Sequence, residues 1–180
     1  MKFRKEKIIA GLAALLFLGV GLTFAQSVQS QGSLMDRRFL QDMAAGSAWK
    51  VRLGELALRQ AANGDIKVFS ELMIAEQKQT LHDLERIADR KGIPLSRDAD
   101  AARRNTLIHF SQEYGAAFDR GYISLMLDEH QRDAALCREE IEKGKDADVR
   151  TFAGKVVERI ERYIGMAKQI LLDLPKPVLK

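Results

Sequence analysis

The sequence predicts an all-α protein: four long helices in two hairpins, joined by a long crossover that contains a short helix. Three observations predict it. The chain has only three prolines, Pro94 in a loop and Pro175 and Pro177 near the end, so long stretches lack helix breakers. Apolar residues recur at three- and four-residue spacing in four separate blocks. The stops within each hairpin are short, whereas residues 92–117 separate the two hairpins. At 180 residues, one domain can bury a sizeable core.

The first residues are a separate matter. "MKFRKEK" is basic, and Ile8 to Phe24 is continuously apolar or small apart from Thr23. A small-residue cleavage site follows at Ala25, so residues 1–25 read as a signal peptide. An uncleaved membrane anchor is the second reading, because the run approaches the roughly 20 residues that a span needs. No Cys follows the run, which argues against a lipoprotein. Residues 26–35 then form a polar, mobile leader, 36–175 the helical bundle and 176–180 a tail. Lys2, Arg4, Lys5 and Lys7 against Glu6 carry most of the formal charge: without residues 1–25 it falls from +4 to +1. No basic stripe with interleaved aromatics remains, which excludes a nucleic-acid-binding surface of the usual kind.

The first long helix opens at a capping box, Ser33 to Asp36. It carries Phe39, Met43, Gly46, Trp49, Leu53 and Leu56 on one stripe and ends near Asn63-Gly64. Glycine inside a helix costs about 1 kcal/mol against alanine, so Gly46 and Gly54 imply close approach of a neighbour. Asp65 is the expected N-cap of the second helix, whose stripe is Ile66, Phe69, Met73, Leu84 and Ile87. Glu76, Gln77 and Thr80 interrupt that stripe, and Lys91-Gly92 with Pro94 beyond ends it. Within the connection, residues 99–110 predict a short helix. The third long helix runs from about Phe118 with Tyr122, Met126, His130, Ala134, Cys137 and Ile141 on its stripe. "KGKD" (Lys143 to Asp146) is a stop and restart. The fourth carries Val149, Phe152, Val156, Tyr163, Met166, Ile170 and Leu174.

Two of these helices are related. Ile66 aligns with Val149, Phe69 with Phe152, Met73 with Val156, Leu81 with Ile164 and Ile87 with Ile170, so each is the second half of a hairpin. The second long helix is about 40 Å long at 1.5 Å per residue. A linker of this size can run back along the bundle, which favours the ferritin-like connectivity over a simple up-down bundle. The single Cys137 cannot form an internal disulfide and reads as a small buried hydrophobe, with a reactive thiol as the alternative. Trp49 and Phe110 have no facing element assignable from periodicity.

"LGELA", "VFSELMI", "FDRGYISLMLDEHQRDAAL" and "ERYIGMAKQIL" resemble the bacterial family called domain of unknown function 4142, over about residues 36–173. The resemblance implies an exported protein with a ferritin-like four-helix bundle, often labelled an outer-membrane protein. The family pattern places a Glu three residues before the first-helix "LG" and a His in each of the other three long helices. Here those positions read Lys50, Gln77, His130 and Tyr163, with only the third retained.

A count of ligands points the same way. Di-iron bundles need two Glu-x-x-His pairs. Three residues before His82, His109 and His130 stand Gln79, Thr106 and Leu127, so the motif is absent. Glu129 and His130 are adjacent, about 100° apart around a helix, and converge poorly on one ion. No cofactor is therefore expected; iron or another divalent metal held by His130, Glu129 and Glu76 is the alternative. His82 and His109 read as solvated or capping residues. The run Asp128, Glu129 and Asp133 beside His130 reads as a solvated face before an acid/base cluster. Tyr114, Phe118 and Tyr122 read as core before a small pocket. No phosphate loop, nucleophile elbow or CxxC is present, so the balance leans away from an enzyme and no catalytic residue is assigned.

The resulting expectation is an exported, periplasmic, non-catalytic helical bundle of the cell envelope with a binding or stress-related structural role. A metal-binding or oxidase-like ferritin relative with a degenerate site at His130 is the second expectation, and helix-mediated oligomerisation the third. The N-terminal segment is the only route to a membrane. Lys50, Gln77, His130 and Tyr163 are expected to form a polar core network in which Lys50 takes the place of a metal cation and neutralises Glu76 or Glu129; the competing reading lets Lys50 snorkel to solvent.

Overall fold

The computed structural model describes residues 33–175. The segments read from the sequence as a signal peptide (1–25), most of the expected leader and the expected tail lie outside the described residues. Five helices and no strand are found among the described residues: α1 (Leu34–Gln60), α2 (Gly64–Lys91), α3 (Ala101–Ser111), α4 (Gly115–Lys143) and α5 (Ala147–Asp173). None is long and apolar enough to cross a membrane.

Local chemistry sets the helix ends. Ser33 and Asp36 form the expected capping box on α1. The N-cap of α2 is Asn63, not Asp65: its Oδ1 accepts from Asp65 N at 2.8 Å and Ile66 N at 3.2 Å, and Asp65 lies in the first turn. Gly92 ends α2 at φ 62°, a left-handed position that glycine adopts without a Cβ clash. Asp146 caps α5 through the amides of Asp148 and Val149. Gly54 admits the close approach of α2, since a Cβ there would lie 2.8 Å from Met73 Cε. At Gly46 the neighbours are looser and include Arg103 of α3, 3.4 Å away.

α1 pairs with α2 and α4 with α5, and the hairpins meet through α1 against α4 and α2 against α5. Asp36 at the start of α1 meets Lys145 just beyond the end of α4. Ala62 just beyond the end of α1 meets Asp119 at the start of α4. These two helices are therefore antiparallel. Lys91 at the end of α2 reaches Asp146 at the start of α5 at 2.7 Å, so that pair is antiparallel too. The chain goes up, down, back through the crossover, down again and up.

The repeat seen between the second and fourth long helices covers both hairpins. Residues 83 positions apart take equivalent places: Ile66 and Val149, the caps Asn63 and Asp146, and the loop holders Asp36 and Asp119. Asp119 accepts from the amides of Ala62 and Asn63 at 3.0 and 2.9 Å. Asp36 accepts from those of Lys145 and Asp146, the equivalent pair, at 2.9 and 3.2 Å. Each hairpin thus holds the turn of the other, under an approximate two-fold relation.

Two apolar clusters fill the bundle. One, around Leu53, Phe69, Phe118, Tyr122 and Ile170, packs toward the α1–α2 turn. The other, around Phe39, Leu40, Leu84, Val149 and Phe152, packs toward the α4–α5 turn. α3 accounts for both unassigned aromatics: Trp49 faces it, and Phe110 lies on it and faces α4. Trp49 donates its Nε1–H to Arg103 O at 3.0 Å, and Phe110 meets Phe118 edge-on at 5.7 Å. Ile141 departs from its expected stripe and is 41% exposed. Tyr114 is also exposed, so only Phe118 and Tyr122 join the core, stacked 5.5 Å apart.

Candidate functional site

Between the two apolar clusters lies a belt of polar side chains. Ser47 and Lys50 come from α1, Gln77 and Thr80 from α2, His130 and Asp133 from α4, all buried. The interruptions at Gln77 and Thr80 in the stripe of α2 are its contribution to this belt.

Lys50 is fully buried, which overturns the snorkelling alternative. Its Nζ lies 2.6 Å from Asp133 Oδ2. The neutralising carboxylate is thus Asp133 rather than Glu76 or Glu129. Three residues separate Asp133 from His130, which puts both on the inner face of α4. The acidic run is therefore solvated only at Asp128; Glu129 and Asp133 are each 5% exposed. Glu129 binds Arg132 on its own helix. Glu76 meets Arg159 of α5 at 2.6 Å, as an ion pair rather than a well-aligned hydrogen bond.

His130 Nδ1 lies 2.6 Å from Met126 O. Only an N–H can face a carbonyl oxygen this closely, so Nδ1 carries the proton and Nε2 is bare. Nε2 is buried without a hydrogen-bond partner, as is Ser47 Oγ. Burial first, and the Lys50 ammonium second, hold the imidazole down to about 4, so the ring is neutral at pH 7. Tyr163 stacks on it at 5.4 Å and 24°, and Phe69 closes on both rings edge-on. Tyr163 thus meets His130 by ring stacking. Gln77 and Tyr163 line a small cavity of about 10 Å³ together with Asp133, Glu76, Thr80 and Arg159. It has room for about one water, which these polar walls could bind.

The four expected positions are all buried, but the hydrogen bond that joins two helices here runs from Lys50 to Asp133. His82 and His109 are exposed, and His109 pairs with Glu113 at 3.1 Å. Cys137 is fully buried, and burial pushes its thiol up to about 12. Glu140 was not legible as a special residue. It is fully buried beneath the α4–α5 turn, and burial, then the facing Asp36 carboxylate, push it up to about 8. Burial raises Asp36, but Ser33, Glu140 and the Asp146 and Lys145 amides outweigh it and lower the carboxyl to about 2.

Among the described residues, no three His, Cys, Asp or Glu side chains gather where one ion could bind them. The belt presents one bare imidazole nitrogen, and each nearby carboxylate already faces a cation. That donor set fits a divalent metal poorly.

Fold and site together define an all-helical domain of two related hairpins closed around a buried ion pair. The chain belongs to the family of the domain of unknown function DUF4142, whose model matches residues 22–170. No curated protein matches. Among solved structures, the chain is similar to a DUF305 fragment from Deinococcus radiodurans, with TM-score 0.71 and 16% identity over 79% of this chain and 99% of that one. A protein of the same type from Streptomyces coelicolor, described as secreted, gives 0.67 and 14% over 77% and 91%. CopM in its Cu(I)-bound form gives 0.63 and 17% over 74% and 93%. At these identities the likeness shows the fold alone.

Proposed function

We propose that this is an exported, non-catalytic helical-bundle protein of the bacterial cell envelope, with a binding or stress-related structural role. We read its connectivity as ferritin-like, with α3 on the crossover between two parallel diagonal helices. One observation carries the reading: an ammonium and a carboxylate, Lys50 and Asp133, meet at 2.6 Å at the centre of the bundle, where a metal centre would need open anionic ligands. Export is supported by the basic-then-apolar start of the chain and by a similar structure described as secreted. Elemental analysis of untagged protein from its native envelope, with a ferrous-oxidation assay, tests the role. The expected result is substoichiometric metal and no oxidation. Near-stoichiometric iron, manganese or zinc overturns it. Mass spectrometry of the same material should find a mature start at or near Gln26; an intact Met1 form replaces export with anchoring.

A metal-binding role is favoured by one feature, the bare Nε2 of His130, and by the copper-bound state of one similar structure. Imidazole is a competent ligand for copper. The elemental analysis separates the two readings, since stoichiometric copper abolished by His130→Ala belongs only to the second.

A further inference from the structure

α3 seats on α1 and α4, and the two-fold relation of the hairpins supplies a second copy of that seat. Phe110 is the anchor of α3. Its ring meets Phe118 edge-on at 5.7 Å and lies 3.2 Å from where a Cβ on Gly121 would stand. It shares one apolar cluster with Leu53, Leu56 and Tyr122. Two side chains of α1 hold the backbone of α3. Trp49 donates to Arg103 O near its start, and Gln60 Nε2 donates to Ser111 O, at its last residue, at 2.9 Å.

The second seat is open. The positions 83 residues from Phe118, Gly121 and Tyr122 are Met35, Arg38 and Phe39, and those from Leu53 and Leu56 are Leu136 and Glu139. These five residues line one groove of about 420 Å³ between α1 and α4. Leu34 extends its apolar wall and is 66% exposed. Arg38 stands where Gly121 admits the Phe110 ring; an exposed guanidinium can lie on an aromatic ring, as Arg103 lies 5.8 Å over Trp49. The positions equivalent to Trp49 and Gln60 are Arg132 and Lys143, both exposed donors. Each pairs with a carboxylate of its own helix, Arg132 with Glu129 and Lys143 with Glu139, and each keeps further N–H groups. A cation at the place of Gln60 suits the carbonyl end of a docked helix.

We propose that this groove docks a short amphipathic helix of a partner protein, with an aromatic anchor between Met35 and Arg38 and its C-terminal carbonyls at Lys143. The occupied counterpart supplies the pattern: α3 is an 11-residue helix whose ring sits between the equivalent positions Phe118 and Gly121. A helix laid in an apolar groove gains most from one buried aromatic side chain. The chain does not itself repeat that anchor, since the residue 83 positions before Phe110 is Ser27.

The probe is a synthetic peptide of residues 101–111, titrated against the full chain by fluorescence anisotropy. Short isolated helices are marginal in water, so the peptide carries Ala101→Lys and Asn105→Glu joined by a lactam bridge, at two positions exposed in the protein. Saturable binding below about 1 mM is expected, and about tenfold weaker binding of the peptide with Phe110→Ala. In the protein, Leu34→Gln with Leu136→Gln, and separately Lys143→Glu, should each lower the affinity about fivefold or more. Lys143→Gln restores the residue found at the occupied seat and should retain binding. Leu34 and Lys143 are exposed and Leu136 is half-buried, and helical circular dichroism equal to the parent's qualifies each variant. Affinity that the protein variants leave unchanged overturns the proposal, because a peptide that displaces α3 from its own seat would not respond to them. No saturable binding overturns it as well. A peptide of residues 18–28 that binds more tightly than the α3 peptide, with the same response to the variants, overturns it in favour of the chain's own N-terminal segment. A dimer broken by Leu34→Gln with Leu136→Gln in sedimentation, without peptide binding, overturns it in favour of a second copy of the chain.

Discussion

Lys50 and Asp133 occupy equivalent positions of the two hairpins and meet each other at 2.6 Å in the core. The second pair on the same axis, Glu76 and Arg159, is built the same way. In a symmetric pair of identical hairpins each position would face its own copy, with like charges opposed. Joining two halves in one chain lets the halves diverge, so that opposite charges face each other at the axis. The buried pair contributes less to net stability than its short distance suggests, because desolvation offsets most of the attraction. Its consequence is that neither charge can be removed alone without stranding the other.

Both loop holders should contribute to stability, Asp36 also through the capping box of α1 and its contact with Glu140. Asp36→Asn and Asp119→Asn each weaken a carboxylate's hold on two backbone amides of the opposite hairpin's turn. Each should destabilise the fold by about 2 kcal/mol, as expected for hydrogen bonds to a charged group. Urea melts of the two variants check it, and a loss within about 0.5 kcal/mol of the parent for either would contradict its hold on the turn.

Much of this was legible in the sequence. Helical spacing, the Ser33–Asp36 box and the stop at Gly92 placed the long helices, because those signals are local. The polar positions Gln77 and His130 were visible as breaks in apolar stripes. Asp133 and Glu140 were not, because a charged residue on a helix reads as solvated until the helix that covers it is known. The site of α3 was hidden for a related reason: periodicity gives a helix its faces but not its docking partner, so Trp49 and Phe110 had no counterpart until the crossover was placed. Asn63 and Asp65 are both good caps two residues apart, and only the turn geometry chooses between them.

Acid and alkali should weaken the fold through different groups. Glu140 is raised from 4.5 to about 8, so the folded chain keeps a proton that the unfolded chain releases. Its contribution is fully present below about 4.5 and is lost as pH rises toward 8. His130 is lowered from 6.5 to about 4, so stability falls as pH drops through that interval. Asp36, lowered from 3.8 to about 2, adds a loss below 3.8. Melting temperatures between pH 4 and 9 should fall on both sides of a maximum. Glu140→Gln should flatten the alkaline limb and leave the acid limb in place.

Cys137 should be inert in the folded protein. A fully buried thiol raised to about 12 offers almost no thiolate at pH 8. Ellman's reagent should therefore titrate close to zero thiols in native protein and one after denaturation, since the chain holds a single cysteine.

The measurement that tests the central claim most directly is a double-mutant cycle on Lys50 and Asp133 in urea. Lys50→Met and Asp133→Leu each leave one buried charge unpaired and should each destabilise by roughly 3 kcal/mol or more. The double variant removes both charges and should cost clearly less than either single change, with a coupling of about 2 kcal/mol or more. Single losses within about 0.5 kcal/mol of the parent, or a double variant equal to the sum of the singles, would contradict a core closed by this ion pair.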